Sequence, residues 1–115
     1  MVDAVRPVSP GGLPGAIAVE QQGGARVLRL AGEIDGAVVG EFQAAHGRVP
    51  VPVDLIDAGQ VTFIGSSGVV FLLRWSGGAA HAGRRAALRR SSPVLDRILR
   101  LTGLSDALPR LPADT

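Results

Sequence analysis

The chain has 115 residues, a formal net charge of +2 and no cysteine. This length fits one domain with its own hydrophobic core and is too short for two. The absence of cysteine excludes disulfides and thiolate metal sites. The two histidines, His46 and His81, form no paired metal-binding motif, so we expect neither a zinc site nor any other cofactor.

All twelve basic residues are arginines, which excludes the phosphate-binding lysine of a P-loop and Schiff-base chemistry. Arg84, Arg85, Arg89 and Arg90 form a cluster, but the chain has only three Phe, one Trp and no Tyr. A nucleic-acid-binding surface normally adds stacking aromatics to its basic groups. We therefore interpret the cluster as a solvated edge and expect no direct nucleic-acid binding.

The first 15 residues are rich in proline and glycine and predict a flexible lead-in. A folded domain is expected over residues 16–112, followed by a disordered tail over residues 113–115. No apolar run approaches the ~20 residues that cross a bilayer, and the N-terminus has no apolar signal-peptide core. We expect a cytoplasmic protein without membrane insertion.

Two strands are predicted first, at residues 17–19 and 26–30, around a glycine-rich turn. Val27 and Leu28 are adjacent apolar residues in the second strand, so both faces of that strand are expected to be covered. Asp35 follows, and its carboxylate is a favoured N-cap for a helix over the next ten or so residues.

The centre of the chain predicts a strand at residues 53–56, a turn at residues 57–60 and a strand at residues 61–64. A Gly-Ser-Ser-Gly corner follows at residues 65–68. Glycine allows a sharp bend without a Cβ penalty, and serine is a favoured N-cap. The corner should therefore display a serine hydroxyl beside helix amides that favour negative charge.

The helix after this corner should bury Val69, Leu72 and Leu73, with Val70 pointing away from that face. A weaker strand is predicted at residues 85–89.

Ser92 and Pro93 then open a last helix as N-cap and first helical residue, and Gly103 follows its end. The apolar residues predicted to form its buried face are Val94, Leu95, Ile98 and Leu101. Residues 107–108 suggest a final edge strand.

Strands and helices alternate along most of this order. Alternation of this kind predicts an α/β fold, with a mixed, mainly parallel sheet of four to five strands and about three helices packed on it.

Four blocks of sequence carry a family resemblance. They are Gly-Glu-Ile-Asp at residues 32–35, Val-Asp-Leu at residues 53–55, Val-Thr-Phe-Ile-Gly-Ser-Ser-Gly at residues 61–68, and residues 92–104. Their order and rough spacing resemble those of STAS domains, and within that family the bacterial anti-sigma factor antagonists. The resemblance covers about residues 17–112.

The resemblance implies a non-enzymatic cytosolic switch in transcription regulation and the bacterial stress response. Such a protein binds an anti-sigma factor, usually a serine kinase, and so frees a sigma factor. The phosphorylated serine maps to Ser66, ahead of Ser67. The partner-binding residues implied are Asp35, Gly65, Ser66, Ser67, Gly68 and Val70. The family commonly has Asp where this chain has Gly65, and the missing charge is expected to weaken kinase recognition.

Other interpretations stay open at this point. The residues alone explain Ser66, Ser67 and Asp35 equally well as helix caps, and we expect capping to be the main role of Ser67. Residues 65–68 are one residue short of a Gly-x-Ser-x-Gly elbow, and no histidine has a matched role, so no enzyme is predicted. The alternative function is a STAS subunit of a membrane transporter, or a scaffold of a stress complex, that does not depend on phosphorylation. A monomer or a weak dimer is expected.

Overall fold

The computed structural model describes residues 14–78 and 86–111. The described residues form strands β1 (Ala16–Gln22), β2 (Ala25–Ile34), β3 (Leu55–Ile64) and β4 (Ala87–Ser91), and helices α1 (Gly36–His46), α2 (Ser66–Gly78) and α3 (Pro93–Leu101). The expectations for residues 1–13, His81, Arg84, Arg85 and residues 112–115 lie outside the described residues.

The four strands form one sheet in the order β1-β2-β3-β4. Strand β1 is antiparallel to β2, and the other two pairs are parallel. Gly23 and Gly24 join β1 to β2 with φ of 54° and 87°, a left-handed conformation that glycine adopts without strain. The mixed, mainly parallel sheet with three helices confirms the predicted fold class. Strands β2, β3 and β4 all finish at one end, which we call the carboxyl end of the sheet.

The prediction of a turn at residues 57–60 is wrong. Strand β3 continues through these residues, with irregular pairing to β4 after Ile56. The buried Asp57 carboxylate accepts hydrogen bonds from Arg89 Nη2 at 3.0 Å and from the Gly59 amide at 3.2 Å. Because these bonds satisfy the Asp57 carboxylate inside the sheet, residues 57–60 remain in a strand although their sequence is typical of a turn.

The interpretation of the arginine cluster as a solvated edge is also wrong for Arg89. Besides its ion pair with Asp57, the guanidinium donates to Gln22 Oε1 at 2.9 Å. One side chain of β4 thereby reaches β3 and β1 across the sheet. Arg90, the next residue, is exposed as expected.

Helices α1 and α2 pack against each other, and α1 also contacts β1 and β2. Val27 and Leu28 are both completely buried, which confirms that β2 is covered on both faces. Phe42 contacts the rings of Phe71 and Trp75, with centroids 5.6 and 5.5 Å apart. Apolar side chains from the strands, α1, α2 and α3 thus form one continuous core.

Helix α3 begins as predicted, because Ser92 Oγ accepts a hydrogen bond from the Leu95 amide at 3.2 Å. Its buried face differs from the prediction. Leu95 and Leu99 are completely buried, whereas Val94 and Leu101 are 37% and 69% exposed. Residues four apart share a helix face, so contact centred on Leu95 turns those two side chains toward solvent.

The segment after α3 pairs with Leu88 at the outer edge of β4. Leu104 donates its amide to the Leu99 carbonyl at 2.7 Å beyond Gly103, whose φ of 74° completes the helix end. The Leu88 amide then donates to Pro109, and Leu111 donates back to Leu88. The expected edge strand is instead a single bridge, which lies beside a proline that has no amide to donate.

Candidate functional site

Two strand-to-helix corners lie side by side at the carboxyl end of the sheet. The Gly65 amide, after β3, donates a 3.0 Å hydrogen bond to the Ile34 carbonyl at the end of β2. Asp35 caps α1, since its Oδ1 accepts from the Val38 amide at 3.0 Å. The predicted capping role of Asp35 is therefore confirmed, and its carboxylate is held at the start of α1.

Helix α2 begins at Ser66, so Ser67 lies inside the helix and cannot be its N-cap. Ser66 is its first residue, and the Gly65 carbonyl accepts the first helical hydrogen bond, from Val69 at 3.1 Å. Gly65 therefore occupies the N-cap position, and the prediction that Ser67 is mainly a cap is wrong. Ser66 and Ser67 are both exposed in the first turn.

Ser67 lies against the start of α1. A Cβ atom placed on Gly36 would be 3.5 Å from Ser67 Oγ. The starts of α1 and α2 are thus in near contact, and each presents backbone amides that favour negative charge. The structure brings Asp35, Ser66 and Ser67 into one region, as the sequence analysis expected for a common surface.

A shallow groove of about 320 Å³ runs from these serines between α1 and α2. Three apolar residues, three uncharged polar residues and one arginine line it: Val39, Val70, Phe71, Gln43, Ser66, Ser67 and Arg74. Arg74 Nη2 donates to the Arg48 carbonyl at 3.0 Å, just beyond the end of α1. This bond fixes the cation at the end of the groove away from the serines.

Two large apolar side chains are exposed beside the serines. Val70 is 53% exposed, as predicted, and Phe63 is 50% exposed. The sequence analysis missed Phe63 as a surface residue. The local sequence carried no signal for it, because Thr62 and Phe63 are both exposed between buried Val61 and Ile64 instead of lying on alternate faces. The β2–β3 pairing shifts at this point, which breaks the usual alternation of strand side chains.

Gly68 needs a correction, because it is buried. A Cβ atom there would lie 2.6 Å from Ile64 Cγ1 and 2.9 Å from Ile34 Cγ2. Gly68 lets the first turn of α2 sit directly on β2 and β3. It therefore shapes the surface from beneath.

A family model described as "Mlab, STAS domain" matches residues 17–111. The chain belongs to the STAS domain family. This STAS domain is similar in structure to the anti-sigma factor antagonist SpoIIAA in its unphosphorylated form, with a TM-score of 0.61, 20% identity, and coverage of 85% of this chain and 90% of that chain. It is also similar to an anti-sigma factor antagonist from Mycobacterium paratuberculosis, with a TM-score of 0.62, 26% identity, and coverage of 92% and 91%. No curated protein matches the sequence.

Within residues 14–78 and 86–111, no helix is both long and apolar enough to span a bilayer. The same residues contain no group of three or more His, Cys, Asp or Glu side chains placed to hold a metal ion.

Proposed function

We propose that this STAS domain is an anti-sigma factor antagonist that binds its partner through the carboxyl end of the sheet. The observation that carries the proposal is the pair of exposed serines at the start of α2, flanked by half-exposed Phe63 and Val70. The antagonist from Mycobacterium paratuberculosis, 26% identical over nearly the whole chain, supports it.

The chemistry of this surface suits a protein partner. Exposed apolar side chains that are clustered with polar groups mark interaction sites, and an aromatic ring at the centre of such a patch often carries much of the binding energy. Phe63 supplies the ring, Val70 adds apolar area, and Gly65 lies between them along the chain. Asp35 and the two serines provide the polar edge.

Phosphorylation of Ser66 is the proposed off-switch, with the anti-sigma factor acting as the serine kinase. A phosphate adds about −1.5 to −2 charges at neutral pH. The free amides at the start of α2 stabilise a nearby anion, so the fold tolerates the modification. A docked partner, however, would have to desolvate the dianion or be repelled by it, and a few kcal/mol change occupancy by orders of magnitude.

The proposal is tested by titrating a candidate anti-sigma factor into three variants in a calorimeter. Ser66→Ala should bind like wild type, and Ser66→Asp should bind at least tenfold more weakly. Ser105→Asp is the matched control, because Ser105 is exposed beyond α3 and should leave affinity unchanged. Equal affinity of Ser66→Asp and wild type would refute the switch.

Phosphorylation itself is tested by intact mass and site mapping after incubation with the kinase and ATP. One added phosphate that persists in Ser67→Ala and disappears in Ser66→Ala supports the proposed site. A partner that binds but never phosphorylates the chain supports the alternative, a STAS subunit of a transporter or stress complex. Gly65, in place of the family's usual Asp, is the feature that favours this alternative.

The remaining features are proposed as well. The protein acts by binding rather than by catalysis, in the cytoplasm, as a monomer or weak dimer. Its role in transcription is indirect, through the anti-sigma factor rather than through nucleic acid.

A further inference from the structure

Strand β1 lies at one edge of the sheet, beside β2. Neither of the described ranges, 14–78 and 86–111, places another strand on its outer side. Natural edge strands are commonly protected from further pairing by a proline, a bulge or a very short length. Strand β1 is seven residues long, contains no proline and keeps an unbroken register with β2 from Ala16 to Gln22. Its outer side is therefore a regular surface for strand pairing.

The backbone groups on that outer side belong to alternate residues. Gln21 lies opposite Arg26 in β2. The Arg26 backbone bonds toward β3 instead, since its carbonyl accepts from the Asp54 amide at 2.8 Å and its amide donates to Asp54 Oδ2 at 2.8 Å. Hydrogen-bonded and non-hydrogen-bonded positions alternate along an antiparallel pair. The amide and carbonyl groups of Gln21, Val19 and Ile17 consequently point away from β2.

These outward groups fit a second copy of the same strand. An antiparallel pair centred on Val19 places Val19 opposite Val19 of the second copy, and Ile17 opposite Gln21. Each such position exchanges two N–H···O bonds, so the pair forms about six hydrogen bonds between the chains. A pair centred on Ala18 or Glu20 has only about four, because one fewer position is matched. Centring on Glu20 also places two carboxylates directly opposite each other, which is destabilising.

The side chains at the intervening positions are complementary in the Val19-centred register. Ala18 lies opposite Glu20 of the second copy, and Ala16 lies opposite Gln22. A small side chain thus meets a long polar one at each position. Within its own chain, the Glu20 carboxylate lies 3.9 Å from the Arg29 guanidinium, which offsets the one charge that β1 carries. Hydrogen bonding, size and charge therefore favour the same register.

We propose that β1 pairs antiparallel with β1 of a second copy of this chain, centred on Val19. The pairing joins the two four-stranded sheets into one. Because the two β1 strands run in opposite directions, the carboxyl ends of the two sheets lie at opposite ends of the dimer. Ser66 and Ser67 of each copy are therefore far from the new interface. The proposal does not depend on the proposed anti-sigma function.

The dimer is tested by sedimentation equilibrium over a range of concentrations, in which wild type should pass from monomer to dimer. Gln21→Pro removes an amide that points away from β2, so the edge strand should keep its own fold. Its dimer dissociation constant should rise at least tenfold. Gln21→Ala is the matched control, because it shortens the same exposed side chain but keeps the amide. It should stay within about twofold of wild type, and circular dichroism checks that both variants fold.

Disulfide trapping tests the register. The chain has no cysteine, so Ala18→Cys and Glu20→Cys each supply a single thiol. Residues opposite each other at a non-hydrogen-bonded position have Cα atoms about 4.5 Å apart, a distance that a disulfide spans. An equal mixture of these variants should form the mixed disulfide at least tenfold faster than Ala18→Cys mixed with Ser105→Cys, whose thiol is exposed beyond α3. Intact mass identifies each product.

Three results would overturn the proposal. The first is a wild-type chain that remains monomeric at millimolar concentration. The second is a folded Gln21→Pro variant that dimerises as tightly as wild type, because the interface would then lie elsewhere. The third is a mixed disulfide between positions 18 and 20 that forms no faster than the Ser105→Cys control. This third measurement decides the question even where the proline variant does not fold.

Discussion

The Gly65 amide donates a 3.0 Å hydrogen bond to the Ile34 carbonyl. This bond joins the last residue of β2 to the residue that precedes α2. Because Asp35 follows Ile34 and Ser66 follows Gly65, the cap of α1 and the first residue of α2 are held together by backbone. A partner that contacts one of these corners therefore meets the other in a fixed position.

Gly68 should not tolerate a methyl group. Its Cβ would lie within 3 Å of Ile64 Cγ1 and Ile34 Cγ2, both in the core. We expect Gly68→Ala to lower the free energy of unfolding by about 1–3 kcal/mol through overpacking. Gly40→Ala is the matched control, since Gly40 is in α1 with open space around it. It should raise stability by about 0.5–1 kcal/mol. Urea denaturation measures both, and equal effects would contradict the packing argument.

Phe63 should contribute more to partner binding than to folding. Half of its surface is exposed, so Phe63→Ala should weaken binding of the anti-sigma factor by about tenfold or more. The melting temperature should change little. Val49, 76% exposed in the loop after α1, provides the control: Val49→Ala should change neither quantity. Calorimetric titration decides, and wild-type affinity for Phe63→Ala would exclude the ring from the interface.

Arg89 should be more important for stability than its neighbour Arg90. Among the donors in the described part of the chain, removing the Arg89 side chain leaves the buried Asp57 carboxylate only the Gly59 amide. We expect Arg89→Ala to cost about 1–3 kcal/mol, less than a fully buried pair because Arg89 is partly exposed. Arg90→Ala, at an exposed position, should stay within about 0.5 kcal/mol of wild type. Chemical denaturation tests the difference, and equal losses would argue against the ion pair.

Asp96 predicts a dependence of stability on pH. Burial raises the pKa of Asp96, but hydrogen bonds from Ser91 and Arg110 outweigh it. The charges of Arg110 and Arg100 act in the same direction. The pKa is therefore lowered from the ordinary 3.8.

A carboxylate with a lowered folded pKa stabilises the protein above its unfolded pKa and loses that effect as pH falls through the folded value. The stability advantage of wild type over Asp96→Asn should therefore be constant above about pH 5 and shrink below about pH 4. It should be at most about 1 kcal/mol, because the pair is well exposed. Urea titrations at several pH values measure it, and a difference that grows in acid would contradict the assignment.

The features that the sequence predicted correctly depend on near neighbours in the chain. Asp35 and Ser92 cap helices through bonds to amides three residues away, so the local pattern was sufficient. The errors depend on distant residues. Asp57 remains in a strand because Arg89 reaches it from 32 positions away. The buried face of α3 is determined by which side of the helix meets β3, and Phe63 is exposed because the strand pairing shifts beside it.

The pairing at Leu88 affects which strands of this protein are open to a second copy. Sheets that extend from molecule to molecule need an unpaired strand on both sides. Among the residues that the structure describes, the backbone of Leu88 is occupied by Pro109 and Leu111, whereas β1 has no neighbour on its outer side. Among these residues, strand pairing between two copies is therefore blocked at Leu88 of β4 and open along β1.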